Sequence, residues 1–252
     1  MLHRLLVPLC VLSLAACGGE SDEAEAADES AAVSSTEAAL TSELSDEVGT
    51  TGTPEDLAAA AETRVKANMQ PSSCLTTTTA GATTTYVFNN CTGRYGLVTM
   101  TGTVTATYSR PSSDVVRVLI ESTGFKANDA TLNLKATVDA TQQGSVKRAE
   151  IASETSGTGP RGNTVSREGD YTVTWDEATE CITLDGTTGS TRVTSTTVSG
   201  FRKCKAQCPS SGTIVHSGAR GREVTLTYDG SANAAWSTSG GRSGTVALRC
   251  GP

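Results

Sequence analysis

Leu97-Val98-Thr99-Met100-Thr101-Gly102-Thr103-Val104-Thr105-Ala106-Thr107-Tyr108 decides the fold class of this chain. Thr99, Thr101, Thr103, Thr105 and Thr107 fall on one parity, and Val98, Met100, Val104, Ala106 and Tyr108 on the other. Successive side chains of an extended strand point to opposite faces, so this segment predicts a strand with one wet and one buried face. The same alternation recurs at Val116-Val118-Ile120, Leu132-Leu134-Ala136-Val138, Tyr171-Val173-Trp175, Ile182-Leu184, Val224-Leu226-Tyr228 and Val246-Leu248. Between the runs stand turn signals: 110–113, Asn128-Asp129, 157–160, Asp185-Gly186, Asp229-Gly230 and Gly240-Gly241. Short connections make neighbouring strands antiparallel. We therefore expect one all-β domain over 71–252, an antiparallel meander of about ten to twelve strands. Alternation alone leaves a β-sandwich and a partly closed, curved sheet equally open.

Upstream, Thr53-Pro54-Glu55-Asp56 reads as a helix start. Thr53 can cap, Pro54 suits the first helical position, and the two acids complement the helix dipole. Leu57, Ala61, Val65 and Met69 form a narrow apolar stripe that ends at Gln70-Pro71. The spacing predicts a helix over 53–70 that packs on the sheet. Inward positions of the strands hold many alanines, and the chain has only two Trp, three Phe and five Tyr. Small side chains bury little area, so a core of this kind needs further reinforcement.

The first residues carry an address. His3 and Arg4 precede the apolar run 5–12, which is far below the ~20 residues a membrane span requires. Leu14-Ala15-Ala16-Cys17, followed by Gly18-Gly19, resembles the lipobox of bacterial lipoproteins. That resemblance implies removal of residues 1–16, lipidation of Cys17 and a membrane partner through the acyl chains. Gly18, standing where that family uses Asp to retain proteins at the inner membrane, points to the outer membrane of a Gram-negative envelope. The Cys-, Thr- and Gly-rich hairpins resemble those of β-rich envelope lipoproteins, a likeness that implies no activity.

From Glu20 to Glu62 there are thirteen acidic residues and no Lys or Arg. Such a stretch buries too little apolar surface to offset its ordering entropy, so residues 17–52 are expected to form a disordered linker. Residues 63–252 hold nineteen Lys and Arg against fourteen Asp and Glu. The overall charge of −7 thus belongs to the linker, and the domain itself leans basic. Arg202, Lys203 and Lys205, with Arg220, Arg222 and Arg242, form a candidate patch for an anionic envelope polymer or another envelope protein. Few aromatic residues are available to stack bases, which argues against nucleic acid.

Cys10 leaves with the signal segment and Cys17 takes lipid, so six cysteines remain for an oxidising compartment. Strand order favours Cys74–Cys91, Cys181–Cys204 and Cys208–Cys250, because an even number of antiparallel passes returns the chain to the same edge. A Cys204–Cys208 clip with Cys181–Cys250 is the competing arrangement. Zinc needs four ligands, and His216 is the single histidine after the signal segment.

Equipment for catalysis is sparse. The sequence has no Gly-x-Ser-x-Gly elbow, no His-Glu-x-x-His, no phosphate-cradling glycine loop and no dinucleotide fingerprint. Asp176, Glu177, Glu180 and Asp185 are dense enough to note but read as turn decoration, and His216 reads as a packed residue. No catalytic residue, metal or cofactor is assigned. The expected role is structural, adhesive or binding, by a tethered, non-enzymatic β domain. Alternatives are a carrier of an apolar or lipid ligand in a sheet concavity, and an envelope-glycan hydrolase with carboxylates assembled in three dimensions.

Overall fold

A computed structural model describes residue 44 and residues 51–92, 99–159, 162–176, 178–179, 181–190, 194–204, 207–218, 221 and 223–247. Among the described elements, the helix α1 (Pro54–Asn68) precedes thirteen strands. These are β1 (Leu75–Ala80), β2 (Thr83–Thr92), β3 (Thr99–Ser109), β4 (Val115–Ala127), β5 (Ala130–Gln143), β6 (Val146–Thr158) and β7 (Thr164–Asp176). They continue with β8 (Cys181–Ser190), β9 (Thr194–Cys204), β10 (Ser211–Ser217), β11 (Glu223–Thr227), β12 (Asn233–Thr238) and β13 (Ser243–Ala247). Each strand pairs antiparallel with the next, in the order β1 to β13, within a single sheet that does not close. The all-β meander is as expected. Of the two arrangements left open, the described strands form the single curved sheet, with β1 and β13 at its two sides.

Two strands carry no clear signal in the sequence. The inward positions of β6 are Lys147, Ala149, Ile151, Ser153, Thr155 and Gly157, which interrupts the apolar alternation. In β12 the inward positions are Ala234, Trp236 and Thr238, too few apolar residues to mark a strand. The expected turn at Asp185-Gly186 is instead a bulge inside β8, where the register shifts between Leu184 and Gly186. Gly186 has φ +147°, and a Cβ there would stand 2.2 Å from the Asp170 carbonyl oxygen, so the backbones of β7 and β8 touch where a side chain cannot fit. A row of bulges also crosses β2, β3 and β4, with positive φ at Asn90, Gly102 and Gly124. Bulges in adjacent strands bend the whole sheet.

The core lies at the N-terminal end. Thr53 caps α1 reciprocally with Asp56, and Leu57, Ala58, Ala61 and Val65 are buried against β1, β2 and β3. Beneath them lie Val104, Ala106 and Tyr108 of β3, Val116, Val118 and Ile120 of β4, and Leu134, Ala136 and Val138 of β5. Each large buried aliphatic contributes ~1.5–3 kcal/mol. A polar clasp seats the helix. Glu62 accepts hydrogen bonds from Lys66 of the same helix and from the Thr77 and Thr79 hydroxyls of β1, the last at 2.6 Å. Those donors hold its carboxyl at a pKa of about 2, well below the usual value.

Leu44 falls inside the stretch expected to be linker, yet it is 1% exposed and belongs to the core. Its carbonyl accepts from the Tyr108 hydroxyl, which also meets Tyr86. The folded unit thus includes a residue N-terminal to the expected boundary at residue 53. Burial pushes both tyrosine hydroxyls towards the neutral form.

Disulfides hold two strand pairs. Cys74–Cys91 closes the open end of β1–β2, and Cys181–Cys204 joins directly opposed residues of β8 and β9. Cys208 is also disulfide-bonded, and Cys250, its expected partner, lies outside the described residues.

Candidate functional site

The register defines two faces, here called inner (the face that carries the core) and outer. On the outer face the sheet curves into an open cavity of ≈ 560 Å³. Glu121, Lys135, Glu154 and Glu168 form one transverse row across β4–β7 along it. Glu154 and Glu168 are opposed directly, which places their Cβ atoms ~5 Å apart. A glycosidase needs one carboxyl that keeps its proton through burial and one that stays ionised. All three glutamates here are exposed, and every outer-face residue of the lining is polar or charged. This geometry supplies neither the buried acid of a hydrolase nor the apolar cavity of a carrier. Among the described residues no group of three His, Cys, Asp or Glu side chains could hold a metal.

The expected cationic patch does not assemble as one. Arg202 and Lys203 are consecutive in β9, so they point to opposite faces. Arg242 lies in the β12–β13 turn, beside Ser239, which bonds Glu223 at the Ser217 end of β10. Arg202 pairs with Ser211 at the other end of β10. Seven residues of strand separate them by about 20 Å. Lys205, Arg220, Arg222 and Cys17 lie outside the described residues.

Of the noted carboxylates, Asp176 binds the Thr179 hydroxyl, the Ala178 amide and the Ser145 hydroxyl, and these bonds hold its pKa below the usual value. Asp185 accepts from the Gly200 amide across the β8 bulge. Both are structural turn and bulge contacts. Glu177 and Glu180 lie outside the described residues. His216 faces inward with Ile214, its Nδ1 3.0 Å from the Thr196 hydroxyl. Burial lowers its pKa, so the ring is neutral at pH 7.

The inner face of β7–β13 is the least expected region. Its apolar residues line up in rows that run across the strands. Trp175 and Ile182 share one row, Val173, Leu184 and Phe201 the next, and Tyr171, Val198, Ile214, Leu226 and Trp236 a third. Trp175 touches the edge of the core, but among the described residues no second layer continues over these rows. Val173, Leu184, Phe201, Ile214, Leu226 and Trp236 are only half-buried, and Ile182 is 37% exposed. Glycines let the aromatic rings lie down on the sheet. The Tyr171 ring covers Gly169, where an added Cβ would sit 2.6 Å from the hydroxyl, and the Trp236 indole covers Gly244 at 2.9 Å. Phe201 and Tyr228 meet edge to face, with centroids 5.1 Å apart.

In this half carboxylates keep to one face, whereas cations take both, with Arg148 and Arg202 on the outer one. Among the described residues of β6–β13, Glu150, Glu154, Glu168, Asp170, Asp176, Asp185 and Glu223 all take outer positions. Lys147, Arg167 and Lys203 take inner ones. Arg167 is 7% exposed and donates to the Tyr171 hydroxyl. Lys147 and Lys203 stand in the row of Trp175 and Ile182, one at each end. Sequence reasoning grouped Lys203 with Arg202 and passed over Lys147. Strand parity is the signal that separates the first pair and joins the second.

No family model matches the chain, and no curated protein or solved structure matches it either.

Proposed function

We propose that this chain is a non-enzymatic binding module of the bacterial envelope, tethered through Cys17, whose working surface is the inner face of β7–β13. The observation that carries the reading is the apolar expanse across β7–β12, which no layer covers among the described residues. Contiguous half-exposed apolar surface of this extent marks an interaction or ligand site in a soluble domain. The lipobox-like Leu14-Ala15-Ala16-Cys17 supports the tether, and the acidic residues between Glu20 and Glu43 support a spacer behind it. The exposure of the outer glutamates weighs against the glycan-hydrolase reading. Among the alternatives, the carrier reading gains support from the half-buried apolar rows, although an open face replaces the enclosed cavity.

Hydrogen exchange with and without envelope extract tests the surface. New protection is expected in 171–175, 182–188 and 214–226, whereas protection confined to the outer row of glutamates contradicts the proposal. Substituting Cys17→Ala tests the tether. Loss of acyl labelling and release from membrane fractions are expected, and unchanged membrane association contradicts it.

A further inference from the structure

The segregation of carboxylates specifies what the uncovered face would bind. We propose that the inner face of β7–β13 takes a single anionic amphiphile in monomeric form, an acyl chain with a carboxylate head, and orients it through Lys147 and Lys203. This rests on the binding-face reading above and adds the ligand's chemistry and direction. Lys147 and Lys203 flank Trp175 and Ile182 at one end of the strands, and no carboxylate shares their face among the described residues of β6–β13. Lys203 has no acidic partner among the described residues. The Cys181–Cys204 disulfide lies at the same end and fixes β9 against β8, which holds Lys203 beside Ile182. Moving away from the lysines, the face becomes apolar over three rows and then neutral and polar at Thr188, Thr196 and His216. From the row of Trp175 to that of Gly169 is six residues, or ~20 Å along the strand. An acyl chain in one leaflet spans about 15 Å, half of a ~30 Å hydrocarbon core, so it fits between the lysines and the threonines. A second copy of the chain would bring lysine against lysine and supply no acid on this face, which disfavours self-association here.

Both tryptophans of the chain, Trp175 and Trp236, lie on this face and report on it directly. The test uses the full chain carrying Cys17→Ala, which needs no detergent, and bromine-labelled palmitate below its micellar concentration. Quenching of both indoles is expected. Neutralising both lysines, Lys147→Gln with Lys203→Gln, is expected to weaken palmitate binding about tenfold. Bromine-labelled monoacylglycerol should bind Lys147→Gln/Lys203→Gln and the parent chain alike, and 0.5 M salt should weaken palmitate alone. The outer-face substitution Lys135→Gln should change nothing. If the lysine pair fails to fold, the salt series on the parent chain carries the same test. Equal binding of palmitate and monoacylglycerol at every salt concentration would overturn the head-group assignment and leave the binding face standing. Quenching by neither ligand would overturn both. A response to anionic vesicles without one to monomeric palmitate would also overturn the proposal, since it would make the face a membrane-docking surface.

Discussion

The two halves of the sheet obey one alternation rule and put it to opposite uses. In β2–β5 the inward residues are mostly Val, Ile, Leu, Ala, Met, Phe and Tyr, buried in one core with α1 and Leu44. In β7–β12 three inward rows are also apolar, yet among the described residues no layer lies above them, and the Tyr171 and Trp236 rings rest on neighbouring glycines instead. The difference teaches that period-two patterning reports which face is apolar and says nothing of whether that face is covered. A second element must supply the cover, and α1 packs chiefly on β1, β2 and β3.

The largest expected effect comes from treating the halves alike. Ile120→Ala removes a fully buried side chain and should cost about 2–5 kcal/mol in equilibrium unfolding. Ile214→Ala, on the uncovered face, should cost less than half as much, and equal losses would erase the distinction. Opening a disulfide comes next. Cys74→Ser with Cys91→Ser should cost about 2–4 kcal/mol in the covered half, measured by denaturant titration under oxidising conditions.

A pH series sharpens the contrast further. The Glu62 carboxyl is held at a pKa of about 2, below its ordinary value of 4.5. Its contribution is therefore complete above pH ~5 and is lost as pH falls through 4.5 towards 2. Glu62→Gln should remove that acid-dependent part, about 1–2 kcal/mol given that 23% of the side chain is in water, and leave the curve flatter below pH 5. An unchanged acid limb would show that the clasp between α1 and β1 contributes nothing. The smallest effect belongs to the ring-on-glycine contacts. Gly244→Ala lifts the Trp236 indole and should red-shift its emission, with about 1 kcal/mol of destabilisation, whereas Gly144→Ala, where no ring lies within reach, should leave the emission unchanged.

Much of this fold was legible in the residues. The threonine ladder of β3, the cap at Thr53, the apolar stripe of α1 and the opposed cysteines of β8 and β9 follow from local rules of period, capping and strand order. The β6 strand was not, because serine, threonine and glycine occupy inward positions where aliphatics would have marked it. Asp185-Gly186 reads as a turn from composition. Only the close approach of β7 and β8 makes Gly186 a bulge residue. Leu44 could not be separated from the acidic stretch around it, since one leucine docking on Tyr108 is a tertiary event. Of the candidate site, the cations were visible but their grouping was not. Clustering in sequence joined Arg202 to Lys203, whereas alternate facing in the strand parts them and aligns Lys203 with Lys147 through β7 and β8.

The central claim is that the inner face of β7–β13 is a surface in use and not a core. Leu226→Ser with Trp236→Ser tests it most directly, with unfolding stability and quenching of Trp175 by bromine-labelled palmitate measured on the same sample. The account predicts stability within about 1.5 kcal/mol of the parent chain and loss of the quenching. A core-like loss of about 4 kcal/mol or more, or quenching that survives both substitutions, would contradict it.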